Sequence, residues 1–102
     1  MGTGKRLKNP AEWQDGTVAE FLALSPEESL YVEMKAALAV RLHHRRAELQ
    51  LTQTEVARML GSGQSRVAKM EKAESSVSID LLIRSLLALG ADRNEIARVI
   101  QG

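Results

Sequence analysis

Few side chains in this sequence are placed for covalent or metal chemistry. The chain has no cysteine, which excludes a disulfide, a thiolate zinc site and a cysteine nucleophile. His43 and His44 are adjacent, and because neighbouring residues of a helix point about 100° apart, the two rings do not readily share one metal ion. The sequence also shows no nucleophile–base constellation and no glycine loop for a phosphate. We therefore expect no enzyme activity, no cofactor and no metal site.

Polar and basic side chains gather on one face of a short predicted helix that begins at Gln64. Because successive residues of a helix are rotated by about 100°, Ser65, Lys69 and Lys72 share a face, with Arg66 beside them. Hydroxyl, amide and cationic groups of this kind hydrogen-bond base edges and phosphates. The alternative interpretation is an ordinary solvated helix face.

The positive charge of the chain is concentrated in the same part of the sequence. Residues 35–72 hold eight Lys/Arg and three Asp/Glu, a net charge of +5. Residues 1–34 hold three and six, a net −3, and residues 73–102 hold three and four, a net −1. A basic patch of this kind suits a polyanion. The chain has one Trp, one Tyr and one Phe, which argues against a protein that stacks single-stranded bases.

Two short helices with a tight turn between them must position the polar face. Thr52 and Glu55 have the spacing of a capping box, which predicts a helix start at this point. Gly61 supplies the left-handed conformation that ends this helix. Only two further residues precede the next helix, predicted over residues 64–72. In a helix-turn-helix of this shape the first helix crosses the DNA backbone and the second enters the major groove.

Three further helices complete the prediction of the core. Their starts are marked by the cap residues Ser25-Pro26, Ser78 and Asp92. No alternating strand pattern occurs, so the predicted fold class is all-α. The apolar residues at helical spacing are Leu30, Met34, Leu38, Leu42 and Leu49 in the first of these helices, Ile79, Leu82, Ile83, Leu86 and Leu87 in the second, and Ile96, Val99 and Ile100 in the last.

The first 24 residues are predicted to form an N-terminal extension. Residues 1–16 are rich in glycine and proline and indicate a flexible arm, and a short amphipathic helix follows from Thr17 to Leu24. We divide the chain into this extension, residues 1–24, and a DNA-binding domain, residues 25–102.

Arg46 and Glu71 are charges on otherwise apolar helix faces. A buried charge without a partner costs much free energy, so the two side chains are expected to neutralise each other. Such an ion pair would orient helices and would not contact DNA.

With these residues the sequence resembles the Xre, Cro and phage-repressor class of helix-turn-helix domains. The resemblance covers about residues 34–100 and implies a five-helix, lambda-repressor-like fold. It departs from the pattern at Ala73, where many members carry glycine. The matching residues are Arg46, Leu51-Thr52-Gln53, Glu55-Val56-Ala57, Leu60-Gly61, Gln64-Ser65, Val67, Met70-Glu71 and Leu89-Gly90.

The resemblance implies roles for the polar residues of the motif. Glutamine pairs with adenine, and arginine or lysine pairs with guanine. The residues expected to read base edges are Gln64, Ser65, Arg66 and Lys69. The residues expected to contact phosphates are Thr52, Gln53, Ser62 and Lys72. Gln53 could instead serve only its helix start, and Lys69 and Lys72 could be solvated surface lysines.

These expectations describe a sequence-specific repressor that binds a palindromic double-stranded operator as a homodimer. The segment Thr17–Tyr31 resembles that of HigA-like antitoxins, which bind a small ribonuclease toxin and repress their own operon. The alternative is a stand-alone phage-type regulator or a restriction-modification controller without a toxin. No apolar run approaches the ~20 residues of a bilayer span, so we expect a cytoplasmic protein with no membrane contact.

Overall fold

The computed structural model describes residues 24–102, so the predicted arm and short helix at residues 1–23 lie outside the described part. Within residues 24–102 the secondary structure is helical, with no strand, which confirms the all-α prediction for this part of the chain. None of these helices has the length and apolarity needed to cross a bilayer. The helices are α1 (Pro26–Glu48), α2 (Gln53–Leu60), α3 (Gln64–Glu71), α4 (Ile79–Ala88) and α5 (Arg93–Gln101).

Side-chain caps begin every one of these helices except α3. Each capping oxygen accepts the backbone N–H three residues further on, at 2.8–3.1 Å, which satisfies a donor that the helix itself leaves unpaired. Gly63 precedes α3, and no side chain caps that helix. The capping residues are Ser25, Thr52, Ser78 and Asp92.

The chain divides into two compact units, Met1–Val32 and Glu33–Gly102. The described part of the first unit is the Ser25 cap and the opening turns of α1, where Leu30, Tyr31 and Val32 are exposed. The second unit contains the rest of α1, the helices α2 to α5 and every residue of the predicted DNA-binding motif. The predicted division after residue 24 stays a prediction.

One hydrophobic core lies within the second unit. The core positions predicted for Leu82 and Leu86 are confirmed, but Leu49 and Leu87 are 43% and 48% exposed, so the predicted apolar stripes were too long. Leu30, which was predicted to belong to the apolar stripe of α1, is exposed as well. The buried residues of this helix lie only between positions 35 and 42. The large apolar residues with no exposed surface are Leu38, Leu42, Val56, Val67, Met70, Leu82 and Leu86.

Glu95 connects α5 to α1. Its backbone N–H donates to Asp92 as a capping box requires, but its carboxylate accepts hydrogen bonds from Arg41 and Arg45 of α1. The predicted capping box at Asp92 therefore forms only in part, because two arginines compete for the carboxylate. Ile96 is buried in the core, and the large apolar residue that α5 exposes is Ile100.

Candidate nucleic-acid interface

Local hydrogen bonds fix the start of α2 and the turn between α2 and α3. Thr52 and Glu55 form the complete capping box at the start of α2, with distances of 3.0 and 2.7 Å. Gly61 ends α2 with φ +66°, in the left-handed region where a side chain is strained. The N–H of Ser62 then donates to the carbonyl of Ala57 at 2.8 Å. Ala57 is buried, as expected of a small residue where two helices meet.

The outer face of α3 carries the four residues that were predicted to read bases. Val67 and Met70 are fully buried and fix the opposite face of the helix against the core. None of the cations Arg66, Lys69 and Lys72 forms a salt bridge with a residue between positions 24 and 102. The face therefore presents uncompensated positive charge. The exposed predicted base readers are Gln64, Ser65, Arg66 and Lys69.

The four predicted phosphate contacts lie at the ends of the two short helices. Thr52 is exposed at the start of α2 and Lys72 is exposed at the end of α3. Ser62 is half-buried in the turn, and Gln53 is half-buried in the first turn of α2. The four residues are thus spread from the start of α2 to the end of α3, and only Ser62 lies in the turn itself.

Arg46 and Glu71 form an ion pair that joins α1 to the end of α3. Nε of Arg46 lies 2.5 Å from Oε2 of Glu71, and Nη2 lies 3.0 Å from Oε1. The third donor, Nη1, binds the carbonyl of Leu51 at 3.0 Å. Both side chains are mostly buried, with 17% and 6% exposed. The pair thereby holds the entry to α2 and the last turn of α3 against one helix.

Gln53 and Gln64 extend this ion pair to the exposed start of α3. Nε2 of Gln53 donates to Oε1 of Glu71 at 3.1 Å, and Nε2 of Gln64 donates to Oε1 of Gln53 at 2.6 Å. Burial acts to raise the pKa of Glu71, but hydrogen bonds from Arg46, His43 and Gln53 outweigh it and lower this pKa to about 2. Glu71 is therefore an anion that only accepts hydrogen bonds.

His43 is a member of this cluster that the sequence analysis missed. Its Nδ1 lies 3.0 Å from Oε1 of Glu71 and 3.3 Å from Nη2 of Arg46. In the sequence His43 stood out only as a possible metal ligand, and among residues 24–102 no group of three metal-binding side chains occurs. Its spacing from Arg46, one helical turn, is a signal that places the two side chains together.

Lys35 holds the chain that leaves α3. Its Nζ donates to the carbonyl of Glu74 at 2.7 Å, and the side chain is buried. The turn itself contains Ala73 at φ +53°, the position where the resemblance led us to expect glycine. Lys35 and the packing of Ala73 against the core keep this strained turn in place.

Comparison with known families agrees with this geometry. A family model described as a helix-turn-helix domain matches residues 37–99, which is more than half of the chain. The chain belongs to the helix-turn-helix domain family. As a helix-turn-helix protein it is a DNA-binding regulator, and the matched residues include the whole of α2 and α3. The searches of curated proteins and of solved structures gave no match.

Proposed function

We propose that this helix-turn-helix protein is a sequence-specific repressor of the Xre type that reads operator DNA with α3. The observation that carries the proposal is the outer face of α3, where polar readers stand beside cations that no described residue neutralises. A helix of this kind enters the major groove, where each base pair presents a distinct pattern of donors and acceptors. Gln64, Ser65, Arg66 and Lys69 are the proposed readers.

The ends of α2 and α3 are the proposed contacts to the DNA backbone. Thr52 and Gln53 lie at the start of α2, Ser62 lies in the turn, and Lys72 lies at the end of α3. Contacts of this kind fix the register of a protein on the duplex without reading its sequence.

A homodimer is the proposed binding form. One recognition helix reads few base pairs, and a two-fold dimer reads two half-sites about 34 Å apart on a palindromic operator. Ile100 is the exposed large apolar residue of α5 and is the proposed centre of the dimer contact. Replacing Ile100 by Glu should shift the sedimentation of the protein toward the monomer and weaken operator binding. Leu49→Glu, at an exposed apolar residue that follows the C-terminal end of α1, should leave both unchanged.

An antitoxin role is the proposed biological setting, with residues 1–24 binding a small ribonuclease in the cytoplasm. The support comes from the start of α1, which directly follows that segment in the chain: Leu30, Tyr31 and Val32 are exposed there, close in sequence to Glu27 and Glu28. An acidic, apolar segment complements the basic surface with which a ribonuclease binds RNA. The alternative is a stand-alone phage-type or restriction-modification controller regulator that has no toxin partner.

A gel-shift experiment tests whether the protein binds DNA sequence-specifically and whether α3 carries that binding. The full chain should retard its own upstream DNA and should not retard a scrambled duplex of the same length. Lys69→Ala removes an exposed cation of α3. Its control is Arg84→Ala, which removes an exposed cation of α4. Equal retardation of the two duplexes would contradict sequence-specific binding.

A ribonuclease assay and the same gel shift, both with the neighbouring gene product added, separate the antitoxin role from the stand-alone regulator. Neutralisation of a ribonuclease activity, lost after deletion of residues 1–16 while DNA binding remains, supports the antitoxin role. A neighbouring product without ribonuclease activity, or one that the chain does not bind, supports the stand-alone regulator.

A further inference from the structure

The hydrogen bonds between Glu71, Gln53 and Gln64 run in one direction. A carboxylate only accepts, so Gln53 turns its amide NH2 toward Glu71 and its carbonyl away from it. That carbonyl accepts from Gln64 at 2.6 Å, so Gln64 turns its NH2 toward Gln53. The opposite orientation of Gln53 would place a carbonyl oxygen about 3 Å from the carboxylate, and two acceptors at hydrogen-bond distance repel each other.

This direction decides which groups Gln64 has left for a ligand. One N–H is spent on Gln53, so Gln64 keeps one N–H and its carbonyl oxygen. Adenine offers one acceptor, N7, and one donor, the N6 amino group, which match that pair of groups. Guanine offers two acceptors, N7 and O6, and its bidentate recognition would require both N–H groups of Gln64.

We propose that Glu71 is a positioning residue for base selection. Acting through Gln53, it fixes the amide of Gln64 in the orientation that pairs with adenine in preference to guanine. The inference rests on the proposed function, in which Gln64 reads a base edge. It adds a role to Glu71, which the sequence analysis assigned only to an ion pair with Arg46.

The surroundings of Glu71 keep this orientation constant. Its Oε1 faces three groups within 3.1 Å, on Arg46, His43 and Gln53, and its side chain is 6% exposed. The guanidinium of Arg46 holds the carboxylate in place, so the acceptor that Gln53 meets does not rotate away. Glu71 also remains ionised at neutral pH, so it does not become a donor to Gln53.

Selection from a randomised duplex library with the full chain tests the proposal. The wild-type protein should prefer adenine at one position of each half-site, and Gln64→Ala should remove that preference and so identify the position. Gln53→Met keeps the length of the side chain, removes its hydrogen bonds and leaves the Arg46–Glu71 pair. This variant should lower the adenine-to-guanine preference at that operator position by roughly tenfold and leave the base preferences at the other operator positions unchanged.

A second variant guards against loss of the fold. Gln53→Lys can donate to Glu71 but cannot accept from Gln64, so it should lower the same preference while its thermal unfolding stays cooperative. Lys72→Ala is the matched control. Loss of a contact to a DNA phosphate weakens binding to all DNA sequences alike, so the adenine-to-guanine ratio should stay unchanged.

The outcomes separate this inference from the function on which it rests. An unchanged adenine-to-guanine ratio in a folded Gln53 variant overturns the positioning role of Glu71, while the base-reading role of Gln64 survives. Failure of Gln64→Ala to change any position, or failure of the wild-type chain to select any sequence, overturns base reading by Gln64 and the positioning role together.

Discussion

The guanidinium of Arg46 and the carboxylate of Glu71 lie side by side, with Nε against Oε2 and Nη2 against Oε1. The two residues are 25 positions apart in the chain, and neither has enough exposed surface to be solvated well. Each is therefore the main counter-charge of the other, and removal of either leaves a charge that the core cannot accommodate.

Loss of either partner should destabilise the fold. Arg46→Ala or Glu71→Ala should lower the free energy of unfolding by about 3–5 kcal/mol, because the remaining charge is stranded. Urea denaturation followed by circular dichroism measures the change. Asp80→Ala is the control, since its pair with Arg84 is exposed and such pairs contribute little. Variants as stable as the wild type would show that the pair is not buried in solution.

Glu71 should also make stability depend on pH. Its pKa is about 2 in the folded chain and about 4.3 in an unfolded chain, so the unfolded state takes up the proton first as the pH falls. The contribution is complete above about pH 5 and is lost as the pH falls toward 2. A difference of about two pH units corresponds to about 3 kcal/mol.

The pH dependence can be assigned to this residue with one variant. Denaturation curves recorded at several pH values between 7 and 3 should show a smaller loss of stability in Glu71→Gln than in the wild type. Parallel curves for the two proteins would mean that Glu71 titrates normally.

The two glycines of the turn should respond differently to alanine. Gly61→Ala should lower the free energy of unfolding by about 1 kcal/mol, because φ is +66° there and a Cβ is strained in that region. Gly63→Ala should change it by less than about 0.5 kcal/mol, because Gly63 has φ −96° and open space around it. Thermal unfolding of both variants checks this, and an equal loss of stability would argue that space, not backbone conformation, requires glycine.

Backbone and base contacts should differ in their dependence on salt. Lys72→Ala should reduce the slope of log K against log salt by about 0.9, because one phosphate contact is lost. Gln64→Ala should lower the specific affinity by about 1–3 kcal/mol and leave the slope unchanged. Fluorescence anisotropy at several salt concentrations separates the two effects, and a slope that is unchanged in Lys72→Ala would place that lysine away from the DNA.

The helix starts could be predicted from the sequence because a cap involves residues only three positions apart. Ser25, Thr52, Ser78 and Asp92 all act as the local pattern requires. Helical periodicity could also identify the inward face of α4 at Leu82 and Leu86. It could not show where neighbouring helices stop covering a face, which is why Leu30, Leu49 and Leu87 are exposed.

The polar cluster of the candidate interface was harder to predict. Arg46 and Glu71 stood out as charges on apolar faces, and the structure joins them. The contact between Gln53 and Gln64 links residues 11 positions apart across a turn, and no local pattern specifies it. Glu95 had a good local partner in Asp92, yet its carboxylate turns to Arg41 and Arg45, because tertiary ion pairs outweigh one local hydrogen bond.

The polar residues of α3 differ in whether they are bound to other side chains, and this difference decides which of them can be changed to recognise a new operator. The proposed readers Ser65, Arg66 and Lys69 hydrogen-bond to no side chain between positions 24 and 102, so we expect that they can be replaced without a change in the rest of the fold. Gln64 is bound to Gln53 and through it to a buried pair, so any replacement must also suit that chain of contacts. A library of variants for new operators should therefore randomise positions 65, 66 and 69 freely and vary Gln64 only together with Gln53.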